Sequence, residues 1–326
     1  MDAITVVGAG GIGCAVGYFL RAAGVRVTFV DADEAKVKWG RARGVQVDRR
    51  PSLPAEFVPF ADWQPEPGAV VLLCTKCYDN DVVLARLSDG VTLIPIQNGF
   101  DRRLDGRGGQ LEGIASFISE CEPHLTHTRI TRSGKLHLGC RGNAPLPDHG
   151  GLLATLWGRQ WRNGAFRVEL VPDILPYKYT KLMYNSAISP LAAAAGLDNG
   201  QLLSLPQARR LFFDLLRENY TILKGAGVPL GKVGPLHPTT VARILARPFV
   251  ANSLAWAFYP TLRKTYCSMS GDLPKGRTEI EYYNRHLIDL AGERPCPLNR
   301  RVYDLVRRME QRKVPPGVAA LEELNV

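Results

Sequence analysis

The sequence predicts an α/β protein in two parts: a parallel-sheet domain over residues 1–172 and an all-helical domain over residues 173–326. Three observations predict it. Near the N-terminus a short apolar strand runs into a glycine-rich turn and then a helix. Apolar strands go on alternating with helical stretches as far as residue 170. Beyond residue 172 helical periodicity dominates.

Ile4 to Val7 reads as a buried strand leading directly into Gly8-Ala9-Gly10-Gly11-Ile12-Gly13. A helix follows over Cys14 to Ala23, Gly24 ends it, and Val25 to Val30 is the second strand. GxGxxG in this strand–turn–helix setting is a dinucleotide fingerprint. Gly8 permits the tight turn, Gly10 lets a pyrophosphate approach the backbone, and Gly13 lets helix and strand pack closely. With Ala9, Gly11 and Ile12 they are the candidate cofactor-binding residues, and the helix N-terminus adds unpaired N–H groups. The N-terminal domain is thus a Rossmann domain. Asp31 closes the second strand, where a carboxylate accepts ribose hydroxyls of NAD and repels a 2′-phosphate. Asp33 and Glu34 add to the repulsion, while Lys36, Lys38 and Arg41 lie further along the next helix. NADH is therefore the favoured cofactor and NADPH the alternative.

Ala69 to Thr75 is a nearly continuous apolar strand, followed by Lys76 and a helix over Asp79 to Leu87. Val91 to Ile96 is the next strand, ending in Gln97-Asn98-Gly99. Ligands of open parallel sheets gather outside the C-terminal strand ends, where Lys76 and Asn98 fall. Loop solvation for Lys76 and a turn cap for Asn98 are the plainer readings. Gly113 to Ser119 and Thr126 to Leu138 read as strands completing the sheet, the second a hairpin around Ser133-Gly134. Gly150 to Trp161 reads as a helix and Arg167 to Leu170 as a last strand.

In the second half, a helix begins at Asp173, a suitable N-cap, with Pro176 tolerated in its first turn. Lys181, Asn185 and Ser189 follow at intervals of four and stack on one face. Leu182, Met183, Ile188 and Leu191 occupy the other faces, so the helix is expected to be buried nearly all round. A lysine there must find a partner or lose its proton. The polar stripe points to a cleft wall, with a cofactor on one side and a small polar substrate between. Pro190 removes one i→i−4 bond. Pro206 to Lys224 is a long amphipathic helix, and Pro238 to Ala246 a shorter one. Gly271, Pro274 and Gly276 make a loop. Thr278 is expected to cap a helix running to Ala291, with Glu279 in its first turn. Arg300-Arg301 and Arg307-Arg308 are spaced as the wet face of a final helix.

The formal charge of +10 is spread along the chain with no dense basic run. That favours solubility and attraction of anionic small molecules over nucleic-acid binding. No apolar run reaches the ~18 residues of a spanning helix, so no membrane association is expected. The seven cysteines are scattered; Cys74 and Cys77 form a CxxC with no second ligand pair, so no metal site is expected. The N-terminus enters a strand without a basic leader, and a cytoplasmic protein with reduced thiols is the expectation.

Several separated motifs resemble the ketopantoate reductases (2-dehydropantoate 2-reductases) over nearly the full length. They are Gly8 to Gly13, Thr75-Lys76, Gln97-Asn98-Gly99, Lys181 to Asn185, Asn199-Gly200, Ser268 to Asp272 and Thr278-Glu279-Ile280. The resemblance implies a Rossmann domain, a helical domain and an active site in the cleft. It implies NAD(P)H-dependent reduction of a small 2-oxo acid, ketopantoate to pantoate, a step of pantothenate biosynthesis. Lys181 would be the general acid. Glu279 would hydrogen-bond the nascent hydroxyl, help hold Lys181 and border the cofactor. Asn98 and Lys76 would contact cofactor and substrate, and Asn185, Ser189, Asn199 and Ser268 would bind the substrate. A homodimer is the assembly to test. Four departures stand out: Ser189 where the family usually has asparagine, Asp31 where its second turn usually carries arginine for NADPH, a loop from Asp272 to Glu279 one residue shorter than usual, and an acidic Ser116 to Glu122 segment, with Glu120 and Glu122, where the family tends to be neutral and small. A relative reducing another carbonyl or an imine is one alternative, and a nucleotide-sensing protein without chemistry is another.

Overall fold

Strand β1 (Ala3–Val7) is the centre of a five-stranded, wholly parallel sheet of order β4-β2-β1-β5-β6. Its neighbours are β2 (Arg26–Asp31), β4 (Glu56–Pro59), β5 (Val70–Leu73) and β6 (Thr92–Pro95). Helices α1 (Gly11–Ala22), α2 (Glu34–Arg43) and the short α3 (Asn80–Leu84) make the connections. Alternation along the strands divides the core. Ile4, Val6, Val27, Phe29, Leu72 and Ile94 enter one apolar cluster, while Val7, Val30, Val71, Leu73 and Leu93 enter another.

This computed structural model describes residues 3–105, 110–160 and 166–324. It forms two compact units, Met1–Ile174 and Leu175–Val326. Among the described residues no helix is long and apolar enough to cross a membrane.

The remaining strands of the first unit do not extend the five-stranded sheet. β7 (Leu111–Ala115), β10 (Lys135–Cys140) and β11 (Arg167–Leu170) form one small sheet, in order β11-β10-β7. β3 (Gln46–Val47), β9 (His127–Arg132) and β8 (Ile118–Cys121) form another, in order β3-β9-β8. Nor is Ser133-Gly134 a hairpin tip. The chain reverses after β8, where Leu125 N–H donates to the Glu122 carbonyl and His124 takes a positive φ of 59°. The long antiparallel pair then runs from Cys121 opposite Thr128 to Leu111 opposite Cys140. Ser133-Gly134 is the kink at which this ribbon passes from one small sheet to the other. A Cβ on Gly134 would lie 2.5 Å from the Phe117 nitrogen, so only glycine permits the close crossing. Helix α4 (Asp148–Gln160) covers β11; its expected end, Trp161, lies outside the described residues.

The second unit is helical. α5 (Leu175–Ala195) packs against α7 (Pro206–Gly225) and α12 (Pro297–Arg312). α6 (Asn199–Ser204) opens on a capping box in which Asp198 accepts from Gln201 N–H and the Gln201 side chain accepts from Asp198 N–H. α8 (Pro238–Leu245), α9 (Pro248–Leu262), α10 (Ser268–Asp272) and α11 (Asn284–Ala291) complete it. Two expectations are corrected. The 271–276 stretch holds the end of α10 and a 3-10 turn before Gly276, whose φ is +77°. Thr278 caps no long helix: its hydroxyl accepts from Ile280 N–H, a 3-10 turn follows over Ile280–Tyr282, and α11 begins at Asn284.

Candidate active site

In the first unit the glycine turn is built as a cradle. Gly8 sits at φ +95°, and a Cβ there would be 2.7 Å from the Thr75 nitrogen. A Cβ on Gly13 would lie 1.9 Å from the Gly8 carbonyl oxygen, so helix and turn could not close. Gly10 differs, because nothing stands within 4 Å of where its Cβ would be. Two glycines are thus required by packing, and the third faces open space beside the start of α1. That is the arrangement a pyrophosphate needs to reach backbone N–H groups, so the residues present fit a dinucleotide.

Asp31 has two tasks. Its Oδ2 accepts from Ala9 N–H at 2.7 Å and its Oδ1 from Asp33 N–H at 2.9 Å. The carboxylate is thereby fixed against the turn, and each oxygen keeps a lone pair for a ribose hydroxyl. The sequence placed Lys36 further along the helix, but its Nζ stands 4.0 Å from Asp31 Oδ2. Burial opposes the Lys36 charge, but Asp31, with the nearby thiols and Asp33, outweighs it and raises the lysine pKa. Asp33 caps α2 by accepting from Lys36 N–H at 3.1 Å, and it pairs with His124 at 2.8 Å.

Lys76 and Asn98 follow β5 and β6, at the C-terminal edge of the sheet. A buried amide network ties these two ends together. Gln97 Nε2 donates to the Thr75 carbonyl at 2.8 Å and to Asn80 Oδ1 at 2.8 Å, and Asn80 Nδ2 donates to Asp101 at 2.6 Å. The Asn98 carbonyl accepts from the Cys77 thiol at 2.9 Å, while its side-chain Oδ1 is buried without a partner. An orphaned buried acceptor is costly unless a ligand meets it.

In the second unit, α5 has one half-buried stripe, formed by Tyr177, Lys181, Tyr184, Asn185 and Ile188. Ile188, expected in the core, lies on this stripe. Ser189 is buried beyond its end. Burial pushes Tyr184 up to about 12, so its phenol remains a neutral donor beside Lys181.

Pro190 has no N–H, so the Ser186 carbonyl loses its usual partner on the helix. Asn284 Nδ2 supplies one at 3.0 Å. The same amide donates to Asn299 Oδ1 at 2.9 Å, Asn299 donates to Asn219 Oδ1 at 2.8 Å, and Asn219 donates to the Met183 carbonyl at 2.9 Å. Three buried asparagines from α11, α12 and α7 thus hold the α5 backbone on either side of Asn185.

Glu279 is buried and accepts from the Tyr283 hydroxyl at 3.2 Å. Its neighbour Thr278 donates its N–H to buried Glu310 at 2.6 Å. Asn199 is buried at the start of α6. Its N–H donates to the Thr265 carbonyl at 2.9 Å and its Nδ2 to the Thr265 hydroxyl at 3.1 Å, but its Oδ1 has no partner. Ser268 is exposed at the start of α10.

Against known families, the model described as "Ketopantoate reductase PanE/ApbA" matches residues 4–139, and that described as "Ketopantoate reductase PanE/ApbA C terminal" matches residues 173–310. The chain belongs to the ketopantoate reductase family. Members of this family are NAD(P)H-dependent oxidoreductases acting on CH–OH groups, and this chain is of that class. A 2-dehydropantoate 2-reductase of Pyrobaculum aerophilum is 29% identical over 248 residues, covering 73% of this chain and 76% of its own. One from Archaeoglobus fulgidus is 24% identical and covers 94% and 97%.

Among solved structures, a PanE/ApbA family ketopantoate reductase of Ralstonia eutropha shares the fold with a TM-score of 0.75 at 22% identity, covering 95% and 99%. A D-mandelate dehydrogenase solved with NADH gives 0.71 at 18%, covering 99% and 100%. A dimeric ketopantoate reductase of Staphylococcus aureus gives 0.69 at 16%, covering 96% and 100%.

For this ketopantoate reductase family member, sequence reasoning missed the two amide networks, the Tyr283–Glu279 bond and Tyr184. Tyr184 had a signal, since it lies three residues after Lys181 and one before Asn185. Asn284 had a weaker one, because a proline inside a buried helix requires a replacement donor somewhere.

Proposed function

We propose that this protein reduces a 2-oxo acid to the 2-hydroxy acid with NAD(P)H, 2-dehydropantoate being the default substrate. The observation that carries the reading is the α5 stripe: Lys181 and Asn185 are half-buried on a helix whose other faces carry buried Thr180, Leu182, Met183 and Ser186. Reduced nicotinamide, when bound, supplies hydride to the carbonyl carbon. Charge then develops on the carbonyl oxygen, and the Lys181 ammonium both stabilises it and donates the proton. Glu279, steadied by Tyr283, takes the hydrogen bond of the new hydroxyl and orients Lys181. Asn185, Ser189, Asn199 and Ser268 bind the acid, with the free Oδ1 of Asn199 ready to accept its hydroxyl. Lys76 and Asn98 serve at the nicotinamide end, where Asn98 Oδ1 also lacks a partner. The glycine turn and Asp31 hold the nucleotide.

Asp31 favours NADH. Lys36 offsets part of that charge, so the preference is a balance between the two.

A second reading keeps the reaction class and changes the substrate. Ser189 is shorter than the asparagine expected there, and Glu120 is half-buried on β8, which together favour a bulkier or amine-bearing oxo acid or an imine. One panel of 2-oxo acids, including 2-dehydropantoate, and amine-bearing analogues, run with both cofactors, separates the two. Turnover confined to the amine-bearing substrates would overturn ketopantoate. Turnover on none would favour a nucleotide sensor.

We take the working form to be a cytoplasmic homodimer. Seven cysteines, an odd number scattered along the chain, suit a reducing compartment better than a disulfide framework. On α9 Phe249 and Trp256 are 85% and 81% exposed, apolar surface that a second copy would cover. A monomeric mass in solution would remove the dimer.

A further inference from the structure

Two thiols meet directly behind the glycine turn. Cys14, in the first turns of α1, is fully buried, and its Sγ lies 3.1 Å from the Ala9 carbonyl oxygen. Cys121, at the end of β8, is only partly buried, and its Sγ lies 3.7 Å from the same oxygen and 3.4 Å from the Leu125 carbonyl. Both sulfurs thus converge on one carbonyl oxygen. Ala9 is also the residue whose N–H is held by Asp31. A third contact joins the same regions: a Cβ on Gly11 would lie 2.6 Å from the Ser119 carbonyl, so β8 rests against the start of α1.

We propose that Cys14 and Cys121 form an oxidisable dithiol, closed to a disulfide by a peroxide, and that closure weakens nucleotide binding at the adjacent turn. This goes beyond the assigned reaction, which has no use for either thiol.

The pair is asymmetric in a way that suits stepwise oxidation. The Cys14 thiol beside Cys121 holds the Cys121 pKa below its usual range; burial and the charges of Asp31 and Glu122 oppose this, and the Lys36 ammonium assists. Cys14 is pushed up by the neighbouring Cys121 and by burial. Cys121 is therefore the more acidic and the more accessible sulfur, and Cys14 the resolving thiol. Cys74 makes the contrast, since burial alone raises its pKa and no cation offsets it.

In the first step the Cys121 thiolate attacks one peroxide oxygen. An S–O bond forms, the O–O bond breaks, and hydroxide leaves and is protonated to water, giving the sulfenic acid. Cys14 sulfur then attacks the Cys121 sulfur, an S–S bond forms, and the S–O bond breaks. The hydroxide leaves with the Cys14 proton as a second water. Two thiols lose two electrons and the peroxide gains them. The sulfurs must close to about 2.05 Å. That withdraws both thiol contacts from the Ala9 carbonyl and draws β8 further onto the turn.

The test treats the full-length protein with a small excess of hydrogen peroxide. Peptide mapping by mass then reads the bridge, and titration of reduced and oxidised protein with NADH and NADPH reads affinity. The expected result is a Cys14–Cys121 linkage, a nucleotide Kd raised about tenfold or more, as losing backbone support at the turn would give, and recovery with a dithiol reductant. Cys121→Ser and, separately, Cys14→Ser should each bind nucleotide equally before and after peroxide. A bridge between other cysteines, no bridge, or a Cys14–Cys121 bridge that leaves affinity unchanged would overturn the proposal. If reduced protein bound neither nucleotide, the cofactor reading would fail first, and the second half of this one with it.

Discussion

Under the proposed function, the two units prepare for one reaction by opposite means. In the first, the working surface is backbone: a turn that only glycine allows, a helix start, and one carboxylate pinned to Ala9 N–H at 2.7 Å. In the second it is side chains: Lys181 and Asn185 on the half-buried stripe of a helix that contains Pro190, with Glu279 beside a separate turn. A backbone site tolerates almost no added atoms. A side-chain site tolerates volume but depends on whatever holds its helix in place. The difference predicts different kinds of failure on mutation.

The sharpest break comes from Gly13→Ala. Its methyl would lie 1.9 Å from the Gly8 carbonyl, and Gly8 itself is hemmed in by Thr75. With backbone as the obstacle, relief means moving the turn, at a cost of about 3 kcal/mol or more. Thermal denaturation should show that loss, together with loss of nucleotide binding. Gly10→Ala, facing open space, should fold normally and lose only nucleotide affinity. Equal stability losses for the two would erase the distinction between a packing glycine and a ligand-facing one.

Next in size is Lys181→Ala, which should lower turnover at least ~10²-fold, about 2.7 kcal/mol, by removing the proposed general acid. Nucleotide affinity should not move, because the cradle is built wholly within the other unit. A variant within a few-fold of wild type would take the lysine out of the mechanism.

This contrast also explains what the sequence could and could not tell. The cradle was legible because its parts are contiguous: Gly8 to Gly13 and Asp31 sit within one strand–turn–helix–strand unit, and each residue type has a local steric or electrostatic reason. The stripe of α5 was legible from the spacing of four between Lys181 and Asn185, though Ile188 was assigned to the core because an apolar residue gives no sign of lining an opening. The path of residues 111–140 was misread. Ser133-Gly134 has turn chemistry, and nothing local separates a glycine needed for a crossing from one needed for a reversal. The asparagine chain was invisible because Asn219, Asn284 and Asn299 come from three helices and meet only through tertiary packing. Lys36 was misplaced for the opposite reason: its distance along the sequence was taken as distance in space, and a long flexible side chain reaches back to Asp31.

Asn284 tests how far the second site depends on its support. Asn284→Ala leaves the Ser186 carbonyl buried with neither the helix N–H that Pro190 lacks nor its substitute. It also strips one donor from Asn299. About 2 kcal/mol of stability should go, as for a buried acceptor left unpaired. Turnover should fall less than for Lys181→Ala, since the acid remains but its helix is less firmly placed. Pairing Asn284→Ala with Pro190→Ala, which returns an N–H to the Ser186 carbonyl, should recover most of the stability. No recovery would mean that the asparagine's importance lies elsewhere in the network.

The smallest effect is on cofactor choice, and it probes the one place where a side chain enters the backbone site. Asp31 and Lys36 stand 4.0 Å apart with opposite charges, so a 2′-phosphate would meet a repulsion and an attraction together. Asp31 is the closer to the turn and is fixed by two N–H donors, whereas Lys36 is held by one long side chain. The repulsion should therefore win, and the wild-type protein should show the higher kcat/KM with NADH. Asp31→Asn retains an acceptor for Ala9 N–H but removes the charge, and should narrow the NADH preference by about tenfold, near 1.4 kcal/mol. Lys36→Gln should shift it the other way by a few-fold, because only the repulsion then remains. A wild-type protein that already prefers NADPH, with Lys36→Gln abolishing that preference, would show that the lysine and not the aspartate governs the ribose end of the site.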